Sequence, residues 1–246
     1  MDLPLPPENL RVQVGPFADA GLFERSGGQM VADIVGECSL NPHAQIMEIG
    51  CGCGRLARAF AGYLHTDGRY AGFDPSRPMI DWCKLNLESR LPNFSFLHAD
   101  IRTGDGHFAG AQEVNRFRFP FDREGFDCAV VSSVFTHMLP EEIENYVREI
   151  SRVLRPGGRC YATVFFFDDA ARAAVERGKT IFDFRHPIGP CITFDVARPR
   201  EGIAFGREWF FDLLERSDLR VERVRTGNWR EVRSYEISQD VVVARK

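Results

Sequence analysis

The stretch MEIGCGCGRLARAF, residues 47–60, places glycines at 50, 52 and 54 between a short apolar run and a helix-like basic segment. Glycine at every second position of a strand-to-helix turn keeps side chains away from the backbone, so that N–H groups and the helix N-terminus can face a ligand. The segments that follow keep the same rhythm. From residue 45 onward strand-like and helix-like stretches alternate, the habit of a parallel sheet flanked by helices. The turn therefore predicts a ligand at the carboxyl ends of the strands of a doubly wound α/β sheet.

The strands predicted from apolar runs are AQIME, RYAGF ending at Asp74, FSFLH ending near Asp100, FDCAVVSSVF and RCYATVFFF, with RVERVRT and DVVVAR closing the chain. FDCAVVSSVF is so continuously apolar that it reads as covered on both faces. Helices are predicted over GRLARAFAGYL, MIDWCKLNLESR, the run from Pro140 through YVREISRVL to the stop signal RPGG, and EWFFDLLERS. Residues 10–43 read as an N-terminal helical lead-in. The segment 102–125 carries too many glycines and charges for core, and 168–207, rich in Gly, Pro and aromatics, reads as an irregular cap on the substrate side. The expectation is one domain over residues 1–246.

Composition narrows the partners. With 31 Lys+Arg against 35 Asp+Glu and both signs mixed, the net charge of −4 does not favour a nucleic-acid substrate. The seven cysteines, odd in number and mostly inside apolar runs, read as small buried hydrophobes of a reducing, cytoplasmic compartment. Cys51 and Cys53 lack a second pair or a His cluster at zinc-binding spacing, so no metal is expected there. No apolar run is long enough to cross a membrane, and MDLPLPPENL is unlike a secretory leader.

A dinucleotide fingerprint starting at Gly50 and Gly52 needs glycine at 55, where this chain has Arg55, and no Gly-Lys-Ser/Thr follows to make a phosphate loop. The pattern Glu48-x-Gly50-x-Gly52-x-Gly54 instead resembles the first motif of the class I S-adenosylmethionine-dependent methyltransferases. Four later features agree with it: Asp74 at the end of the second strand, Asp100 in LHADI, FDCAVVSSVFTHM, and REISRVLRPGGRCYATVF. The resemblance covers roughly residues 30–165, and GFDPS, IDWC, SVFTHMLPEEIENY and QDVVVAR look like a bacterial subgroup of small-molecule-type enzymes. It implies a Rossmann-like, seven-stranded, mostly parallel sheet with helices on both faces and an antiparallel last strand.

The resemblance also implies S-adenosyl-L-methionine as cofactor and S-adenosyl-L-homocysteine as product. Its binding residues would be Glu48, Gly50, Cys51, Gly52, Gly54, Arg55, Asp74, Pro75, Asp100, Ile101 and Ser132, with Asp74 on the ribose hydroxyls, Asp100 on the adenine amino group and Ile101 beside the ring. Several residues keep two readings. Asp74 suits an N-cap for the following helix, Trp82 is a core aromatic or a wall against adenine, and Asp168 and Asp169 cap the next helix or face substrate. His137, just past the fourth strand, is a base for an acceptor hydroxyl, a cap of the following helix or an anchor of its loop.

Nine of the 21 Phe residues fall between 160 and 211, which suggests a cap packed on itself and an apolar or aromatic-walled acceptor site. Methyl transfer from a sulfonium is an in-line displacement in which positioning is the main contribution, so no metal or covalent nucleophile is required. The expected reaction is transfer to a small-molecule acceptor, with oxygen favoured by His137. Nitrogen, carbon and macromolecular acceptors stay open, as does a binding protein without catalysis; SSVFTH stands where the family's base-methylating members carry NPPY.

Overall fold

The structure, a computed structural model, describes residues 3–103, 106, 108–231 and 238–246; part of the 102–125 segment, residues 104, 105 and 107, lies outside the described residues. Two compact units divide the chain, one of residues 1–113 and 125–130, the other of 114–124 and 131–246.

In the first unit a four-residue helix α1 (Glu8–Arg11) and a 3-10 turn lead to α2 (Ala20–Glu37), capped by Asp19, whose carboxylate accepts from Leu22 N. Then come β1 (Gln45–Ile49), α3 (Arg55–Phe60), β2 (Arg69–Asp74), α4 (Arg77–Cys83) and β3 (Phe94–His98), with β1, β2 and β3 parallel and in register, Glu48 opposite Gly72. β4 (Ile101–Arg102) and β5 (Gln112–Glu113) form a small parallel pair, and β6 (Phe126–Val131) follows. The continuous apolar run of β6 is buried at all positions but one, as expected for a strand covered on both faces. The helix predicted over MIDWCKLNLESR changes geometry midway, α4 passing into a π-helical turn at Lys84–Glu88. Two side chains of that turn have fixed positions: Leu87 lies against Gly54, and Glu88 accepts from Phe96 N at 2.8 Å.

The second unit contains α5 (Pro140–Val153), β7 (Leu154–Val164), α6 (Asp169–Glu176), β8 (His186–Ile188), β9 (Cys191–Thr193), β10 (Ile203–Phe205), α7 (Arg207–Arg216), β11 (Arg220–Arg225) and β12 (Asp240–Arg245). Ile143, Tyr146, Val147, Ile150 and Val153 are the buried stripe of α5 at helical spacing, and Glu142 accepts from Leu139 N at 2.8 Å to close the helix start. Seven strands are hydrogen-bonded in the order β11-β12-β7-β6-β1-β2-β3, and β12 runs antiparallel to both neighbours. This is the mostly parallel Rossmann-like sheet with a reversed last strand that the resemblance implies.

Three expectations change. The strand β7 starts at Leu154 rather than Arg159, so the Pro-Gly-Gly read as a stop lies inside it. The far end of the chain explains this: Gly157 N donates to Lys246 O at 2.8 Å and Lys246 N to Gly158 O at 2.9 Å, so pairing continues across the glycines. Phe117 and Phe119, in the loop read as non-core, are buried against Tyr146, with Phe119 edge-on at 5.0 Å. Polar groups of α5 satisfy that loop's backbone, through Asn145 to Phe117 O, Phe119 N to Glu149, and Arg152 to Phe119 O and Phe121 O.

The segment expected as an irregular cap contains short regular elements between irregular stretches. Residues 168–207 hold α6 and the antiparallel sheet β8-β9-β10, built around a cluster of Phe165, Ala171, Val175, Phe184, Ala204 and Trp229. Phe182 stacks on Phe184 and Phe165 meets Trp229 edge-on at 5.2 Å, so most of these aromatics pack on one another.

Candidate active site

The glycine turn lies in the first unit, at the end of β1. Gly50, Gly52 and Gly54 all have left-handed backbones, with φ of 71°, 52° and 81°, where an L side chain costs about 1–2 kcal/mol. Space adds a second constraint. A Cβ on Gly54 would stand 2.6 Å from Leu87 Cδ1 and one on Gly52 2.7 Å from Val14 Cγ1, so the lead-in and the α4 segment approach the turn directly. Gly50 N and Cys51 N both donate to Phe73 O, which ties the turn to the end of β2.

Asp74 completes that tie. Only 9% exposed, its Oδ2 accepts from Gly52 N and its Oδ1 from Ser76 N, each at 2.8 Å. Each ionised oxygen has two lone-pair sites, so one per oxygen remains for a hydroxyl donor. Burial raises the Asp74 pKa, with the two backbone bonds opposing the rise. The N-cap of α4 is Ser76, not Asp74, and no side chain caps that helix; the Asp74 carboxylate instead holds Ser76 N in the turn before it and keeps acceptor capacity.

Glu48 is 3% exposed, and desolvation pushes its pKa up to about 7, against the Tyr70 hydroxyl, which donates to Oε2, and the Arg55 guanidinium. Arg55, its own pKa lowered by burial, lies over the Phe17 ring at 5.3 Å. Gly27 makes room for it: a Cβ there would meet Arg55 O at 2.8 Å, so a glycine on α2 permits the close helix approach. Cys51, Cys53 and Cys83 are buried around the turn, their thiols pushed up by burial, and Cys83 Sγ lies 3.6 Å from Gly52 O. All seven cysteines are buried and outside any disulfide, in keeping with the hydrophobe reading.

The remaining first-unit candidates are more dispersed. Pro75 is half-buried, its carbonyl 3.1 Å from His98 Nε2. Asp100 is exposed and its backbone carbonyl accepts from Gln112 N, while Ile101 is buried in the β4–β5 pair. Trp82 packs with Val14 and Phe17 against the cluster of Leu10, Phe23, Cys53 and Met79.

In the second unit Ser132 is half-buried. His137 is exposed, and its Nδ1 lies 2.6 Å from Arg200 O. A carbonyl only accepts, so neutral His137 carries its proton on Nδ1 and leaves an Nε2 lone pair. The cap of α5 is made by Glu142, not by His137. Arg200 is itself fixed, both of its terminal nitrogens reaching the Glu142 carboxylate at 2.5 and 2.6 Å. Asp168 caps α6, accepting from Ala171 N at 2.9 Å.

Sequence reasoning missed two groups here. Ser133 takes a left-handed φ of 57° just past β6, held by Ser133 N to Thr163 Oγ1 at 2.8 Å and by Ser133 Oγ to Gln239 Oε1 at 3.3 Å. Asp240, fully buried, accepts from Phe166 N, Gly227 N, Trp229 Nε1 and both terminal nitrogens of Arg230. Its only signal is an acid at the head of an otherwise apolar strand.

Residues 46–158 match a family described as a methyltransferase domain. Over 136 residues the chain is 26% identical to an uncharacterized methyltransferase of Anoxybacillus flavithermus, covering 54% of each. Over 141 residues it is 25% identical to a tRNA N(3)-cytidine methyltransferase of Gallus gallus, covering 56% of this chain and 34% of that one. The chain thus spans about half the length of the first curated relative and a third of the second. Among solved structures, the 1,6-didemethyltoxoflavin-N1-methyltransferase of Burkholderia thailandensis, described with bound S-adenosylhomocysteine, superposes with a TM-score of 0.59 at 18% identity, covering 100% of this chain and 93% of that one. An identity that low shows the fold. With the sheet order and the matched segment, it makes the chain similar to the class I S-adenosylmethionine-dependent methyltransferases. No helix among the described residues is long and apolar enough to cross a membrane.

Proposed function

We propose that this protein is an S-adenosylmethionine-dependent methyltransferase that methylates an oxygen of a small-molecule acceptor. The observation that carries the cofactor half is the state of Asp74, whose two oxygens already brace the glycine turn and still offer one acceptor site each. When bound, S-adenosylmethionine supplies a methyl group on a sulfonium, ready for displacement. Asp74 accepts the ribose hydroxyls, and that pair of donors offsets the desolvation which raises its pKa. Gly50, Gly52 and Gly54 with Cys51, Arg55 and buried Glu48 shape the turn; Pro75, Asp100, Ile101 and Ser132 complete the proposed binding set.

The oxygen preference rests on His137. Its Nδ1–H is held by the Arg200 carbonyl, so Nε2 would take the proton of the acceptor hydroxyl as its oxygen displaced the methyl group from the sulfonium, the S–CH3 bond breaking and S-adenosylhomocysteine leaving as the neutral thioether. Residues 168–207 are proposed as the acceptor-side cap, where Phe167, Phe182 and Phe194, the half-buried rings of the aromatic cluster, suit an apolar or aromatic acceptor. A nitrogen acceptor is the second reading, favoured by the N-methylating activities in the names of two of the matched proteins.

The test gives purified protein methyl-labelled S-adenosylmethionine and an extract of its source cells, and counts label in small polar, organic-extractable and macromolecular fractions. Label in a small-molecule fraction, with the methyl on oxygen, is the expected result. Label on nitrogen selects the second reading; label in no fraction, with cofactor binding intact, refutes catalysis.

A further inference from the structure

Far from the glycine turn along the strands, at the amino ends of β1 and β2, three side chains meet that the proposed reaction does not use. His43 Nδ1 lies 2.7 Å and His65 Nδ1 2.8 Å from the same Asp67 Oδ1, and the two imidazole rings are 5.3 Å apart. The three ligand atoms all fall within 4.8 Å of one another. In sequence these residues are unremarkable, His43 being separated from the other two by the whole of β1 and α3; only the parallel pairing of β1 with β2 brings them together.

Their backbones are held in place. His65 N donates to Pro42 O at 2.8 Å, His43 N to Asn41 Oδ1 at 2.9 Å, and Asn93 Nδ2 to Gly68 O at 2.8 Å, so both loops are tied before any ligand arrives. A site whose ligands start in position forfeits less ordering entropy on binding. Two imidazoles and one carboxylate are the donor set of borderline divalent transition metals, and too nitrogen-rich for calcium or magnesium.

We propose that His43, His65 and Asp67 form a surface binding site for a zinc-class divalent metal ion, with water completing the coordination. Zinc bonds of about 2.0–2.1 Å in a tetrahedral arrangement separate ligand atoms by about 3.3 Å, so each histidine moves roughly half an ångström from the carboxylate. Rotation about the exposed side chains accommodates that. Each imidazole then presents its Nδ1 lone pair to the ion and carries its proton on Nε2. The ion clips the loop before β1 to the loop before β2, a structural role independent of methyl transfer.

The experiment uses the full chain stripped with EDTA, dialysed, and titrated with zinc chloride by calorimetry, with thermal melting in parallel. One zinc per chain and a higher Tm are expected. His65→Ala and Asp67→Asn should each weaken binding by at least about tenfold and reduce the Tm rise, while keeping the circular dichroism spectrum of the metal-free parent. Cobalt(II) is the second probe, with d–d absorption bands expected in the parent and absent from His43→Ala/His65→Ala. No saturable zinc binding, or binding that survives in those variants, overturns the site; because all seven cysteines are buried, thiol blocking in the folded state should leave it intact.

Discussion

Replacing Asp240 with alanine should be the most damaging single change in the second unit. The carboxylate is fully buried and receives Arg230 Nη1 at 2.7 Å and Nη2 at 2.9 Å, Phe166 N at 2.9 Å, Gly227 N at 2.8 Å and Trp229 Nε1 at 3.0 Å. Without it the Arg230 guanidinium, 6% exposed, keeps Phe166 O as acceptor and has Asp168 Oδ1 at 3.6 Å, too far for a hydrogen bond. Breaking a buried pair by removing one partner costs about 3–5 kcal/mol, a large part of the about 5–15 kcal/mol that holds most domains folded. At about 2–4 °C per kcal/mol for a chain of this size, Tm should fall by roughly 6–20 °C. Urea unfolding followed by tryptophan emission measures it, since Trp229 donates to the deleted carboxylate. The companion Asp240→Leu/Arg230→Met replaces both charges by apolar groups and should recover the share due to the stranded Arg230 charge, while the Phe166, Gly227 and Trp229 donors stay without the carboxylate. A single variant within about 1 kcal/mol of the parent, or a double variant no more stable than the single, would refute the argument that losing the carboxylate hydrogen-bonded to the buried Arg230 sets much of the cost.

Gly54→Ala should lose about 2–4 kcal/mol, from a left-handed backbone and a Cβ 2.6 Å from Leu87; Gly178→Ala, with φ +61° and open space around it, should lose only about 1 kcal/mol, and urea midpoints compare them. Glu48 is an acid whose folded pKa is raised to about 7, so its stabilising share is full below the unfolded value near 4.5 and is lost as pH rises toward 7. The parent minus Glu48→Gln stability difference should therefore drop by about 3 kcal/mol between pH 4 and pH 8, and a flat difference would show that Glu48 is not desolvated. Asp74→Ala should abolish the rise in Tm that S-adenosylhomocysteine produces, while His137→Ala keeps that rise and slows turnover. Unchanged turnover in His137→Ala would make the Arg200 contact purely an anchor.

The order of the seven main-sheet strands and their helices was legible because most of those strands are local apolar runs bounded by local turn signals, and the glycines at 50, 52 and 54 were legible because a left-handed turn tolerates little else. Asp74 was legible too, since its place at the end of β2 follows from strand length alone. Burial of Glu48 to a pKa near 7, the Nδ1 tautomer of His137, the Ser133 turn and the Asp240–Arg230 pair were not, since each depends on partners that folding brings close. The extension of β7 across Pro-Gly-Gly belongs with them, its pairing partner lying about ninety residues away. Periodicity and turn chemistry are properties of neighbours along the chain, and they determined the architecture and the left-handed glycine turn. Desolvation, tautomer and charge pairing are properties of neighbours in space, and only the tertiary structure decided them, because the local dielectric and the donor opposite each acceptor do not exist until the chain has packed.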